Sequence, residues 1–226
     1  MKKAVFALLL LAATGLFLSL GLWQLQRLEW KNQLITTTQA NLTRPPIPAP
    51  SPATPLTTAS AYTPVTVTGS YVSGKDTFIL ASTRHGRGFW VLTPLQTQSF
   101  TVLVNRGFVT RAQQASLSTP SGTIVVTGLL RLSESHGTLL QSNNPQQNLW
   151  YARDVSAIAT HHNLTNIAPY FIDADASAPT PPIGGLTVVH FRNNHLQYAL
   201  TWFGMALLSL TGLAILLRRH RPLTPE

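Results

Sequence analysis

Cysteine is absent from the 226 residues. That excludes a disulfide scaffold, a thiol redox centre, an iron–sulfur cluster and a Cys-based zinc site. Methionine occurs only as Met1 and Met205, so Cu(I) carriage has no soft ligand set. Charge is scarce as well, 10% of residues against about 25% in an average soluble domain. Acids are the rarer sign, 7 against 16 basic residues for a net +9. Disorder needs low hydrophobicity with dense charge, and 44% of this chain is apolar. G-x-S-x-G, H-E-x-x-H and G-x-x-x-x-G-K-[ST] are all missing, as is any internal repeat. The basic residues are scattered rather than striped, which argues against a nucleic-acid surface.

The apolar residues are concentrated in two uncharged runs, Ala4 to Trp23 and Leu196 to Leu217, of 20 and 22 residues. At ~1.5 Å of helical rise per residue, each spans the ~30 Å hydrocarbon layer. A signal peptide has a shorter apolar core ending at a small-x-small site. The first run instead continues to Leu22 and Trp23, as an uncleaved anchor does. Lys2 and Lys3 precede it, and Arg218, Arg219 and Arg221 follow the second run. Positive tails stay in the cytoplasm, so both termini are expected inside and the middle of the chain outside. With no intramembrane charge, the two helices offer no transport pathway.

The expected organisation follows. Residues 1–23 form a membrane helix with a cytoplasmic start, and 24–63 a stalk helix and Pro-rich spacer. Residues 64–195 form a β-rich extracytoplasmic domain, 196–217 a second membrane helix, and 218–226 a cytoplasmic tail. The spacer, Arg44 to Leu56, has six prolines in 13 residues and is expected to be extended and semi-rigid. Alternation and β-branched content predict strands at Val65–Tyr71, Thr77–Leu80, Phe89–Pro94, Phe100–Asn105, Thr123–Arg131 and Leu186–Arg192. Asp154 to Thr160 reads as a short helix with Asp154 at its start. The fold class is therefore an α+β membrane protein, two terminal helices flanking an antiparallel β-rich domain, barrel or sandwich.

Candidate chemistry is sparse. Asp173 and Asp175 share a strand face, but they read as solvated acids where a strand enters a loop. His161 and His162 are adjacent and expected to diverge. Trp23, Arg27, Trp30 and Lys31 share one helical face, suited either to the lipid headgroup level or to docking. His195, Tyr198 and Trp202 fall on one face at the entry of the second membrane helix. An imidazole over aromatic rings at that boundary suits an axial haem ligand; the other reading is that Asn193, Asn194 and His195 cap and hydrate a helix end.

Five stretches together resemble the surfeit locus protein 1 family. They are Gly21 to Lys31 (GLWQLQRLEWK), Pro64 to Tyr71 (PVTVTGSY), Arg84 through Val109 (ending VLVNRGFV), Asn148 to Asp154 (NLWYARD) and Arg192 to Phe203 (RNNHLQYALTWF). They occur in the family's order. Phe108 stands where that family commonly has tryptophan. The resemblance implies a non-catalytic assembly factor for cytochrome c oxidase, working with haem a, haem A synthase and oxidase subunit I. It matches the family's proposed haem-contacting histidine to His195. Arg27, or Arg192 beside the ligand, would then pair bidentately with a propionate, and Trp23, Tyr198 and Trp202 would supply aromatic surface. Arg106 and Arg153 are further candidates that a purely structural role would also explain. The alternative is a cofactor-free scaffold holding subunit I. A bacterial inner membrane is the expected location, since no Arg-rich leader precedes Ala4.

Overall fold

The computed structural model describes residues 2–134, 141–176, 180–187, 189 and 191–218. In chain order the elements are α1 (Lys2–Leu42), β1 (Ile47–Pro48), β2 (Pro64–Tyr71), β3 (Thr77–Thr83), β4 (Gly86–Gln96) and β5 (Thr101–Val109). There follow α2 (Arg111–Gln114), β6 (Thr123–Leu132), α3 (Val155–His161), β7 (Ile167–Ala174) and α4 (His195–Arg218). They fall into two compact units, residues 1–36 with 190–226, and residues 37–189.

The first unit is a helix pair. α1 and α4, of 41 and 24 residues, are both long and apolar enough to cross a membrane. Their leucines point outward: Leu8 and Leu208 are each 70% exposed, so lipid rather than protein is the natural cover. Phe17 stacks on Trp202 with ring centroids 5.8 Å apart, and Asn193 donates to Asn32 at 2.9 Å. As the position rises along α1, the partner position falls along α4, so the pair is antiparallel. A Cβ on Gly21 would stand 2.5 Å from the Phe203 ring. Glycine is what lets the two helices approach there.

The second unit is a β-barrel. β2, β6, β7, β5 and β4 pair in that order, and β2 pairs β4 to close the ring at Ser70↔Gln96 and Tyr71↔Leu95. The choice between barrel and sandwich is thus resolved. Closure removes two free edges. It also brings β2 against β4 so tightly that a Cβ on Gly69 would lie 2.4 Å from the Gln96 carbonyl oxygen. Alternate residues fill the interior: Val65, Val67, Leu95, Val102, Val104, Val126, Leu130, Tyr170 and Ile172. A second apolar layer lies outside the barrel wall, where α3 brings Val155 and Ile158, with Trp150, onto Ile79, Leu92, Leu103 and Phe171. Trp150 is fully buried; an indole of its size contributes about 4–6 kcal/mol by area, as an upper figure. Asp154 caps α3 as expected, accepting from the Ala157 amide at 3.1 Å.

Several expectations are corrected. The sheet is not wholly antiparallel: β5–β7 and β1–β2 run parallel. The proline segment is no free spacer. Ile47 and Pro48 pair with β2, Ala49 and Leu56 pack on the core, and the Tyr170 hydroxyl donates to the Pro50 carbonyl at 2.6 Å. Proline lacks a donor but keeps its carbonyl, so an edge strand with a capped carbonyl suits this segment. Burial pushes the Tyr170 hydroxyl pKa well above its usual value. β7 has no counterpart among the predicted strands. Conversely, Leu186, Thr187, Phe191 and Arg192 belong to no strand; the run beyond β7 passes along the barrel instead, where Ile183 exchanges main-chain hydrogen bonds with Phe108.

Candidate functional site

The helix pair carries the clearest polar feature. Gln24 is the first polar residue after the apolar run of α1 apart from Thr14 and Ser19, and it is 9% exposed. It faces His195, the first residue of α4, and its Oε1 lies 2.7 Å from His195 Nδ1. A carbonyl oxygen only accepts, so Nδ1 must carry the proton. In the neutral ring that arrangement leaves the lone pair on Nε2. A partner that fixes the tautomer and ring orientation is what a metal-binding imidazole needs. Asn193 Oδ1 lies 3.5 Å from the His195 amide and caps the helix start loosely.

The other residues of interest on the helix pair make contacts of their own. Trp23 and Tyr198 are about half exposed, at 51% and 53%. Trp202 turns its ring to Phe17. The Arg27 guanidinium lies 4.2 Å above the Trp30 ring, and the Lys31 ammonium 5.1 Å from the Phe191 ring. Arg192 is exposed. Among the described residues neither Arg27 nor Arg192 meets a carboxylate, so both cations are open to an anionic group. His190 and His136 lie outside the described residues.

A different polar cluster sits on the outer wall of the barrel. Asp173, on β7, is 4% exposed. Its Oδ1 accepts from Asn105 Nδ2 at 2.8 Å, and its Oδ2 from Arg131 Nη1 at 2.6 Å and Thr187 Oγ1 at 2.9 Å. Arg153 Nη1 is 3.5 Å from Oδ1. Arg153 also donates through Nε and Nη2 to both Glu134 oxygens, at 3.0 and 2.6 Å. Burial opposes the Arg153 charge, but the Glu134 hydrogen bond and the two carboxylates outweigh it and raise its pKa. Two guanidiniums thus neutralise two carboxylates beside a cleft of about 390 Å³. The reading of Asp173 as a solvated loop acid is wrong, because β7 continues through it beneath both arginines; Asp175 is exposed, as expected. With every Asp173 oxygen engaged by donors, the cluster ties β5, β6 and β7 to the segment through Thr187 rather than presenting an acid or base.

His161 and His162 do not diverge. His162 lies just beyond α3, and their ring centroids are 4.8 Å apart. His162 Nε2 is 2.8 Å from the Thr77 hydroxyl. Its pKa is lowered by burial first, then by His161 and Lys75. Among the described residues no group of three metal-binding side chains forms.

Sequence reasoning did not single out Gln24 or Arg131. The signal for Gln24 was its place at the polar end of a membrane-length helix. Arg131 gave none, since its partner Asp173 is distant in sequence.

Two terminal helices long and apolar enough to cross a membrane, together with a closed β-barrel, define an α+β protein of membrane type. The sequence matches the SURF1 family across residues 11–207, and the chain belongs to that family. It is 36% identical to Surfeit locus protein 1 of Rattus norvegicus over 221 residues, covering 88% of this chain and 70% of the rat protein. Against the Mus musculus protein the identity is 37% over 221 residues, with 88% and 70% coverage. Against the Homo sapiens protein it is 34% over 225 residues, with 89% and 73%. The family is one of cytochrome c oxidase assembly factors, which sets the general role as assembly.

Proposed function

We propose that this chain holds haem a transiently on its helix pair and assists its transfer to oxidase subunit I. The observation that carries this reading is His195, whose Nδ1 is taken by Gln24 at 2.7 Å and whose Nε2 is left as a ligand. The donor set fits a haem iron: one imidazole, oriented from behind by Gln24, at the end of an apolar helix. The macrocycle, when bound, supplies the iron and the two propionates. Arg27 and Arg192 supply cations that meet no carboxylate among the described residues, and Trp23 and Tyr198 supply exposed aromatic surface. One imidazole on an open face binds moderately and allows release, as a carrier requires. A deep pocket would retain its cargo.

The same reading has haem A synthase as the donor and places the protein in a bacterial inner membrane. Both termini lie in the cytoplasm and the barrel outside. The experiment is to purify the full chain in detergent from cells that make haem a, and from matched cells that stop at haem b. Haem a at close to one per chain in the first preparation is the expected result. A haem-free chain that still captures subunit I from haem a-producing cells would replace this reading with a cofactor-free scaffold.

A further inference from the structure

The barrel has a cavity that neither the helix pair nor the arginine cluster explains. It opens at the end where β2 and β5 finish and β6 begins, with a volume of about 490 Å³. Arg106 points into this end. It shares its strand face with the interior residues Val102 and Val104, and its side chain is only 7% exposed. Nη2 donates to the Ser118 carbonyl at 2.6 Å, and the guanidinium carbon lies 5.3 Å from the Tyr71 ring. Nη1 is buried without a hydrogen-bond partner. Asp76 is near, its Oδ1 3.7 Å from Nη1, inside ion-pair range and beyond a hydrogen bond. Asp76 is held back because Thr93 donates to Oδ1 and Thr119 to Oδ2. A buried donor left unmet is unfavourable, and such groups call for an explanation.

A second, independent feature lines the same cavity. β7 pairs with β6 only from Gly128 onward, and the Thr127 carbonyl accepts from the Asp175 amide at 3.0 Å. Main-chain groups alternate sides along a strand, so Val125 and Thr123 turn theirs to the side that β7 has left. Among the described residues nothing pairs with them, and the Val125 side chain is 67% exposed. A closed barrel therefore keeps one short open edge, beside an unmet guanidinium nitrogen. Pro120, Pro181 and Pro182 form stiff walls around both.

We propose that this cavity binds an extended peptide segment of another protein as an added strand along Val125, with one of its main-chain carbonyls accepting from Arg106 Nη1. A free anion suits the place poorly: Asp76 already balances the Arg106 charge, and Asp175 stands exposed on the rim. The missing acceptor is a neutral carbonyl, which an extended peptide supplies at every residue together with donors for the open edge. Asp175 favours a basic residue in that peptide. The site lies wholly in the barrel and is independent of haem binding.

The test uses the full chain in detergent and the fluorescein-tagged peptide acetyl-Lys-Val-Thr-Val-Thr-Lys-amide. Saturable binding is expected, with amide hydrogen exchange at Val125 slowed by the peptide. An analogue N-methylated at its four central residues cannot pair and should bind at least about tenfold more weakly. Arg106→Lys should weaken binding by about the same factor, with circular dichroism and the thermal midpoint reporting whether the variant is folded. The exchange measurement on the unaltered chain stands without that variant. No binding at millimolar peptide, equal binding of the N-methylated analogue, or tighter binding when both lysines are replaced by glutamate would each overturn the proposal, the last by marking an anion site.

Discussion

Replacing Asp173 by alanine tests the physical account of the barrel most severely. Its carboxylate is 4% exposed and takes donors from Asn105, Arg131 and Thr187 at 2.6–2.9 Å, with Arg153 at 3.5 Å. The arginine side chains are 15% and 16% exposed, so solvent screens the pair only slightly. Removing one partner of a buried pair costs about 3–5 kcal/mol, because the other charge is left unmatched. Glu134 remains to neutralise one guanidinium, which points to the lower end, about 3 kcal/mol. For a unit of this size that corresponds to a fall of about 6–12 °C in Tm. Asp173→Asn keeps the shape and should lose most of the same stability, which separates charge from cavity. Asp175→Ala, two positions on and exposed, should stay within about 0.5 kcal/mol. The assay is thermal unfolding of the full chain in detergent, followed by near-ultraviolet circular dichroism. Equal midpoints for Asp173→Ala and Asp175→Ala would refute the reasoning.

Other perturbations have equally definite outcomes. Folding lowers the His162 pKa, so below the ordinary value of about 6.5 the unfolded chain takes up a proton that the folded chain declines. Stability should therefore fall as pH drops below that value, and urea titrations at pH 5 and pH 8 should show His162→Gln reducing the difference. Gly69→Ala places a methyl against the Gln96 carbonyl at the barrel closure and should cost about 1–3 kcal/mol in the same unfolding assay. Because the chain has no cysteine, single introduced thiols report topology. In intact spheroplasts Arg87→Cys should react with an impermeant maleimide and Thr224→Cys should react only after lysis. The reverse pattern would contradict the orientation.

The membrane helices were legible because a 20-residue uncharged run has few alternatives. Strands β2 to β6 were legible because Val, Thr and aromatic residues alternate between tight turns. β7 was not, since Pro169 interrupts IAPYFIDA and its pairing is partly parallel, a long-range arrangement without a local pattern. The misreading of Asp173 follows from the same gap: only once β7 is placed beside β6 does Arg131 reach it. The proline segment looked like a linker because composition reports backbone stiffness but not the carbonyl that Tyr170 caps. At the helix pair, the periodicity of α4 singled out His195. Its partner Gln24 lies 171 positions away and becomes visible only when the two helices are set antiparallel.

The central claim is that the His195 imidazole holds the haem iron. The most direct measurement is the Soret absorption of the chain and of His195→Ala, each purified from cells making haem a, with and without added imidazole. The account predicts a full Soret band for the unaltered chain, its loss in the folded variant, and its partial return when free imidazole occupies the vacated position. A variant that keeps the full band and stoichiometry without imidazole would contradict it.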